Sequence, residues 1–226
     1  MSQRYTAART ALRTAGIMVV FALVFTALMS TTYRITRPAI EASQFAERMR
    51  LINEILTPGS FNNALLEDYV EIGPTPELGL ARGGRIYRAR LDGEPIGLIL
   101  EVVAPDGYGG RIQLAVAVGA DGRISGVRTT GHSETPGLGD YIDPRKDREK
   151  RRPWIDQFVG VSFDQVAPER WKVRRDGGAF DYRIGATVSA RAVTHATGRA
   201  LAYANDHRHR LFDARPGSSL SAEGDS

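Results

Sequence analysis

The chain of 226 residues contains no cysteine. Disulfides, thiolate zinc sites and cysteine-ligated iron–sulfur clusters are therefore excluded within it. Its compartment stays open, because a chain without thiols suits either redox environment. Electron transfer by such a chain requires an organic cofactor or a metal held by other ligands. There is no Walker A run, no Gly-x-Gly-x-x-Gly opening a helix behind a strand, and no His-Glu-x-x-His. Histidine is scarce, with four in the chain. His207-Arg208-His209 offers two ligands at most and reads as a solvated helix end. His195 reads as a packing or surface residue of the last helix. No internal repeat is present.

Acidic residues are missing from one stretch. Residues 1–37 hold Arg4, Arg9, Arg13, Arg34 and Arg37 and no acid. The other 25 of the 30 basic residues face 26 acids, so the net charge of +4 belongs to this stretch. A broad basic face for nucleic acid is missing. Instead the basic residues flank Thr14 to Tyr33, which carries no charge and centres on Ile17-Met18-Val19-Val20-Phe21-Ala22-Leu23-Val24-Phe25. A helix of that length spans about 30 Å, the hydrocarbon thickness of a bilayer. A cleaved signal peptide has a shorter core and a small-x-small site. Leu28-Met29-Ser30-Thr31-Thr32-Tyr33 offers no Ala-x-Ala, which favours an uncleaved anchor. Arg4, Arg9 and Arg13 precede it, whereas Glu41 and Glu47 soon offset Arg34 and Arg37. This bias sets the N-terminus in the cytoplasm and the rest of the chain outside it.

Beyond the anchor, Ile40, Phe45, Met49, Ile52, Ile55 and Leu56 recur at helical spacing and predict a helix over 38–57. Thr57-Pro58-Gly59-Ser60 ends it. Residues 58–83 read as loops and a short strand. From 85 the pattern changes. Arg85–Leu91 and Pro95–Val103 flank Asp92-Gly93, and Gln113–Val118 and Ile124–Thr130 flank Asp121-Gly122; both are hairpin signals. The expectation is an antiparallel sheet of at least four strands. The charged run 144–152, continuing through Trp154 and Phe158, reads as a surface helix, and Trp171–Arg174 as a further strand. A last helix is expected over 188–208. Its apolar face carries Val188, Ala192, Val193, Ala196, Ala200, Leu201 and Ala204. The Gly, Ser and acid composition from Ala214 onward reads as a disordered tail.

Two segments can carry chemistry. Residues 131–140, Gly-His-Ser-Glu-Thr-Pro-Gly-Leu-Gly-Asp, hold three glycines and a proline that fix an irregular backbone. Its N–H groups can meet an anion or a ring carbonyl, with Glu134 and Thr135 alongside. It also fits a plain long turn. In residues 181–193, small Gly185 and Ala186 leave room around Thr187, just ahead of the last helix. A phosphate there would meet free backbone N–H groups and the positive end of the helix dipole. A simple N-cap role for Thr187 is the alternative. A nucleophilic threonine, as in a hydrolase, lacks an evident base nearby.

Together the two segments resemble a known family: the FMN-binding domain of the G subunit of the Rnf (Rsx) ion-translocating electron transport complex. The family pattern Asp-x-x-Ser/Thr-Gly-Ala-Thr is met by Asp181 and Gly185-Ala186-Thr187, and Ile184 replaces the usual Ser/Thr. Gly107-Tyr108-Gly109-Gly110, Ile124-x-Gly126-Val127 and the run His132-x-Glu134-Thr135-Pro136-Gly137-Leu138-Gly139-Asp140 match in order and spacing. The resemblance runs from the anchor to about residue 200. The related C subunit of the sodium-pumping NADH:quinone reductase shares these features but is typically longer between anchor and loop. The length here and Gly139-Asp140 favour the G subunit of Rnf.

The resemblance implies an α+β chain with one transmembrane helix and a periplasmic FMN-binding domain with packed helices. Its expected parts are a cytoplasmic 1–13, a membrane span 14–33, a helical stalk and connection 34–84, the FMN domain 85–212 and a disordered 213–226. It further implies FMN joined by a phosphoester to Thr187. Gly185 and Ala186 form the phosphate site, and Glu134, Thr135, Gly137 and Leu138 border the ring. Asp181 is read by a flavin transferase that uses FAD and a divalent metal. His132 is a further candidate for flavin contact. The implied partners are the other Rnf subunits and the inner membrane, and the implied role is electron relay between NADH and ferredoxin coupled to ion transport. A cofactor-free extracytoplasmic scaffold is the reading of a different class.

Overall fold

The computed structural model describes residues 2–56 and 59–220. The chain forms two units, 1–50 and 51–226. The first is one helical stretch. Helix α1 runs unbroken over Ser2–Ile55, so the expected span and the expected helix behind it are one element. Residues Arg9–Arg37 are long and apolar enough to cross a membrane, with a mean hydropathy of 2.1 over the most apolar window, and none of that window is buried by the protein. Side chains such as Ile17, Met18, Phe21 and Phe25 are exposed. Apolar groups on all sides of a helix fit an apolar solvent. Ile40, Phe45 and Ile52, expected on one helical face, lie outside the residues whose side chains are described, as do Thr57 and Pro58.

The second unit is built on a sheet of six strands: β1 Tyr69–Ile72, β2 Gly84–Leu91, β3 Glu94–Gly107, β4 Gly110–Gly119, β5 Ile124–Gly131 and β6 Ser219–Leu220. Their spatial order is β5-β4-β3-β2-β1-β6. The four expected strands form antiparallel neighbours. Asp92 and Gly93 both take positive φ, 52° and 87°, the geometry that matches hairpin turns to strand twist. Leu98, Leu100, Val102 and Ala104 alternate onto one buried face of β3. Helix α2, Thr187–Asp213, packs across β3 and β4. Its alanines Ala192, Ala196, Ala200 and Ala204 are buried and let the helix lie close to the sheet. Each larger side chain buried there contributes on the order of 1.5–3 kcal/mol.

Five expectations are corrected. The sheet is mixed, because β6 runs parallel to β1. Residues 214–220 are an ordered return rather than a loose tail: Gly217 N–H donates to the Tyr69 carbonyl at 2.7 Å and Glu71 N–H to the Ser218 carbonyl at 2.9 Å. Backbone pairing on a free sheet edge outweighs the polar composition there; residues 221–226 lie outside the described ones. Residues 144–152 form turns, and Trp154–Phe158 is a buried 3-10 helix rather than a surface helix. The rings of Tyr141, Trp154, Phe158, Phe180 and Trp171 pack in series, with centroids 4.8–5.5 Å apart for successive contacts. Trp171–Arg174 is not a strand but joins two 3-10 turns, held by one bridge between Val173 and Phe180. Residues 59–84, expected as connection, belong to the same unit as the sheet through β1.

The far end of α2 is fastened by charge. Arg88 is 1% exposed, pairs with Asp68 and donates to the carbonyls of Leu211, Phe212 and Ala214. Arg90 adds a bond to Phe212 O at 2.7 Å. These guanidiniums satisfy the last helix carbonyls and meet the negative end of the dipole.

Candidate functional site

The near end of α2 lies against the loop 131–140. Its N-cap, Ala186, provides no side-chain hydrogen bond, and Thr187 is the first helical residue rather than the cap. Gly185 has φ +90°, a conformation that a residue with a Cβ adopts only at a cost. This is the backbone reason for glycine in Gly-Ala-Thr. The segment before it is fixed from several sides. Trp154 Nε1 donates to Asp181 O at 2.8 Å, and Asp181 N–H to Gln157 Oε1 at 2.7 Å. The Tyr141 hydroxyl accepts from Arg183 N–H at 3.3 Å and donates to Ala186 O at 3.2 Å. Burial pushes this phenol up to about 12, so it stays a donor at neutral pH. The Arg183 guanidinium pairs with Asp147, which is fully buried, and lies 4.8 Å over the Tyr141 ring.

The loop is equally constrained. Leu138 and Gly139 N–H both donate to Thr135 O, and Gly137 N–H donates to Asp140 Oδ1 at 2.9 Å. Glu134 is 4% exposed. Its Oε1 accepts from Gly109 N–H at 2.9 Å and its Oε2 from the Ser189 hydroxyl. One carboxylate therefore ties the β3–β4 turn, the loop and α2 together. A Cβ at Gly139 would stand 2.8 Å from both Glu134 Oε2 and Ser189 Oγ, so a side chain there would push this pair apart.

A cavity of about 160 Å³ opens between these elements, lined by Glu134, Thr135 and Leu138 of the loop, Gly185 and Ala186, and Val188 and Ser189 of α2, with Tyr108 at its edge. Clefts that enclose a whole ligand measure roughly 300–1,000 Å³. This one covers part of a ligand and is open at Tyr108, Leu138 and Val188, which are exposed.

Five of the eight residues singled out in the sequence thus share one cavity wall: Glu134, Thr135, Leu138, Gly185 and Ala186. Gly137 shapes the loop from behind, at φ +73°. Thr187 adjoins the cavity but is 6% exposed, and its hydroxyl accepts from Arg175 Nη1 at 3.4 Å. Asp181 is apart from the cavity; its carboxylate is exposed and pairs with Arg174 at 3.0 Å. His132 does not line the cavity; its Nδ1 accepts from Glu134 N–H at 3.1 Å. Ile184, the departure from the family pattern, is 92% exposed. Ser189 and Arg175 were not legible as site residues. Ser189 lies two residues past Thr187, but its partner Glu134 is 55 residues away. Arg175 meets Thr187 only through a turn that local pattern does not signal.

Comparison with known proteins bears on this arrangement. Residues 107–202 match the FMN-binding domain, a stretch that contains every wall of the cavity. Residues 1–55 match the RnfG N-terminal region. The chain belongs to the RnfG family, the G subunits of ion-translocating oxidoreductase complexes. It is 40% identical over 205 residues to the G subunit of the ion-translocating oxidoreductase complex of Shewanella loihica, covering 91% of this chain and 94% of that protein. It is 42% identical over 204 residues to the protein of that name in Pseudomonas aeruginosa, covering 90% and 93%. The corresponding Aliivibrio fischeri protein is 36% identical over 195 residues, covering 86% and 90%. Family membership thus accounts for both ends of the chain together: the apolar helix and the domain that binds FMN.

Proposed function

We propose that this chain is a membrane-anchored electron-transfer subunit carrying one FMN, joined through its phosphate to Oγ1 of Thr187. One juxtaposition supports the reading above all. A buried threonine hydroxyl, at a helix start without a side-chain cap, adjoins a half-open cavity walled by the 131–140 loop. The residues fit the group. Gly185 and Ala186 leave space beside the acceptor oxygen, and the first turn of α2 faces an anion with N–H groups and dipole. Leu138 and Tyr108 offer apolar surface, and Thr135 a hydroxyl, at the cavity's open edge.

Bound FMN supplies reversible electron uptake and release. The chain's own residues orient and retain it. Glu134 holds the cavity wall in shape through Gly109 and Ser189. Thr187 prevents loss of the group outside the cytoplasm. The exposed carboxylate of Asp181 is accessible to a flavin transferase, which takes FAD as donor with a divalent metal. The apolar helix and the basic residues before it support a single-pass inner-membrane protein with its FMN domain on the periplasmic side. The other subunits of an Rnf-type complex are then the partners, and electron flow between NADH and ferredoxin is coupled to ion translocation.

The test is flavin fluorescence of the denatured chain on a gel, prepared from membranes of transferase-positive cells with Thr187→Ala alongside. A fluorescent native band and a dark Thr187→Ala band are expected. A dark native band, or fluorescence that survives the substitution, sinks the reading.

A further inference from the structure

Arg175 differs from the arginines around it. Arg174 is paired with Asp181 at 3.0 Å, and Arg191 with Asp176 at 2.6 Å. Arg175 forms no ion pair among the described residues. Its Nη1 donates instead to Oγ1 of Thr187 at 3.4 Å. Asp176, its sequence neighbour, is held by two bonds from Arg191, at 2.6 and 2.9 Å, and this pairing keeps its carboxyl below the usual range. The neighbouring carboxylate is thus committed to another partner. The turn that carries Arg175 is itself fixed. Arg174 N–H donates to Phe180 O at 2.7 Å, and Val173 before it is fully buried. An exposed guanidinium that makes no ion pair of its own, with the Asp176 carboxylate acting on it only at longer range, therefore reaches a neutral, buried hydroxyl. A lone hydroxyl is a weak partner for a group built to meet oxyanions at two points.

We propose that Arg175 is the charge partner of the phosphoryl group esterified to Thr187, and that it orients the hydroxyl before the ester forms. This rests on Thr187 being the FMN acceptor. In that transfer the Oγ1–phosphorus bond forms, the phosphoanhydride bond of FAD breaks and AMP leaves. The hydroxyl proton passes to a base on the transferase. Because Arg175 donates to Oγ1, the hydroxyl hydrogen points away from the guanidinium, where that base can take it. The product is a phosphodiester with one negative charge, and Arg175 neutralises it without displacing any existing ion pair.

The experiment uses the full chain co-expressed with flavin transferase. Wild type, Arg175→Gln, Arg175→Lys and Thr187→Ala are compared by fluorescence per chain over time, and the purified flavinylated proteins by the 31P resonance of the ester. Circular dichroism verifies that each variant folds. Arg175→Gln is expected to slow attachment about ten-fold and to move the 31P resonance of what does form; Arg175→Lys, which keeps the charge but not the fork, falls between. Wild-type attachment and an unmoved resonance in Arg175→Gln overturn the proposal. So does an equal loss in the Gln and Lys variants with the resonance unmoved, which assigns Arg175 to local structure only. Loss of the Thr187→Ala control, meaning fluorescence in that lane, overturns the acceptor reading and this proposal with it. A labelled wild type with a dark Thr187→Ala lane keeps the two failures distinct.

Discussion

The Ser189 hydroxyl donates to Glu134 across 55 residues of sequence and joins the first turn of α2 to the loop at 131–140. The same carboxylate accepts from Gly109 N–H at 2.9 Å, so three separate chain segments meet on one side chain. Removing it leaves a buried hydroxyl and a partly buried amide without their acceptor. Each bond to such a charged group is worth about 1.5–3 kcal/mol, less what water recovers. Glu134→Ala is expected to lower unfolding free energy by about 3 kcal/mol, and Glu134→Gln, which keeps one acceptor oxygen, by about 1 kcal/mol. Denaturant unfolding of the full chain in detergent, followed by Trp fluorescence, measures this. Equal stability of wild type and Glu134→Ala would refute the carboxylate's bridging role.

Gly185 stands at φ +90° one residue before the N-cap of α2. A Cβ there would meet only Leu138 Cδ1, at 3.4 Å, so the cost of a side chain comes from the backbone and not from crowding. A left-handed conformation costs an L-residue about 1–2 kcal/mol. Gly185→Ala is expected to destabilise by that amount and to turn the acceptor segment, reducing flavin attachment at Thr187. The paired readout is a thermal melt and in-gel fluorescence. A melt unchanged from wild type would mean that the segment relaxes freely and that glycine has another purpose here.

The hairpins were legible because their determinants are local. Asp92-Gly93 and the alternation around it describe one turn and two strands without reference to the rest of the chain. The aromatic cluster was not legible. Six basic residues from Arg145 to Arg152 suggest a solvated helix, whereas Asp147 within that run is fully buried against Arg183 and Trp154 N–H. Burial there is decided by partners 7 and 36 residues away. Strand β6 was missed for the same reason, since Ser219 and Leu220 pair with a strand formed about 150 residues earlier. At the site, the two loops were recognisable by composition and order. The bridge between Glu134 and Ser189, and the contact between Arg175 and Thr187, exist only once the fold is made.

Arg88 is the largest buried cation of the sheet unit, and it ends α2 as a cap would. Truncating it removes a donor from the carbonyls of Leu211, Phe212 and Ala214, and leaves Asp68 with Arg90 and Asn63 as its partners. Breaking a buried pair from one side typically costs about 3–5 kcal/mol where the remaining charge has neither water nor another partner; Arg90, 3.1 Å from Asp68, moderates that cost here. Arg88→Ala is expected at the lower end of that range, about 3 kcal/mol, and Asp68→Asn below it, since Arg88 keeps its carbonyl partners. Hydrogen exchange is the sharper readout: Arg88→Ala should raise exchange over 205–213 first, ahead of the N-terminal turn of α2. Uniform loss of protection along the helix would contradict a local capping role.

His132 ties the stability of the loop to pH. Its Nδ1 accepts from Glu134 N–H at 3.1 Å, so the bond requires an unprotonated Nδ1. The neutral ring then carries its hydrogen on Nε2, which stands 3.4 Å from Lys146 Nζ, another donor. Burial first, then the Lys146 charge, holds the imidazole below its ordinary 6.5; Asp143, Glu134 and Asp140 oppose this but do not reverse it. Well above pH 6.5 the ring is neutral in both folded and unfolded chains, and its contribution to stability is complete. As pH falls below that value the unfolded chain takes up the proton first, so stability declines until the folded-state value is passed. The expected outcome is an unfolding midpoint that drops as pH falls below about 6.5 in wild type and drops less in His132→Gln, with the two curves converging at about pH 8. A wild-type midpoint that rises on acidification through this window would show that the ring is stabilised as the cation and that the loop is held differently.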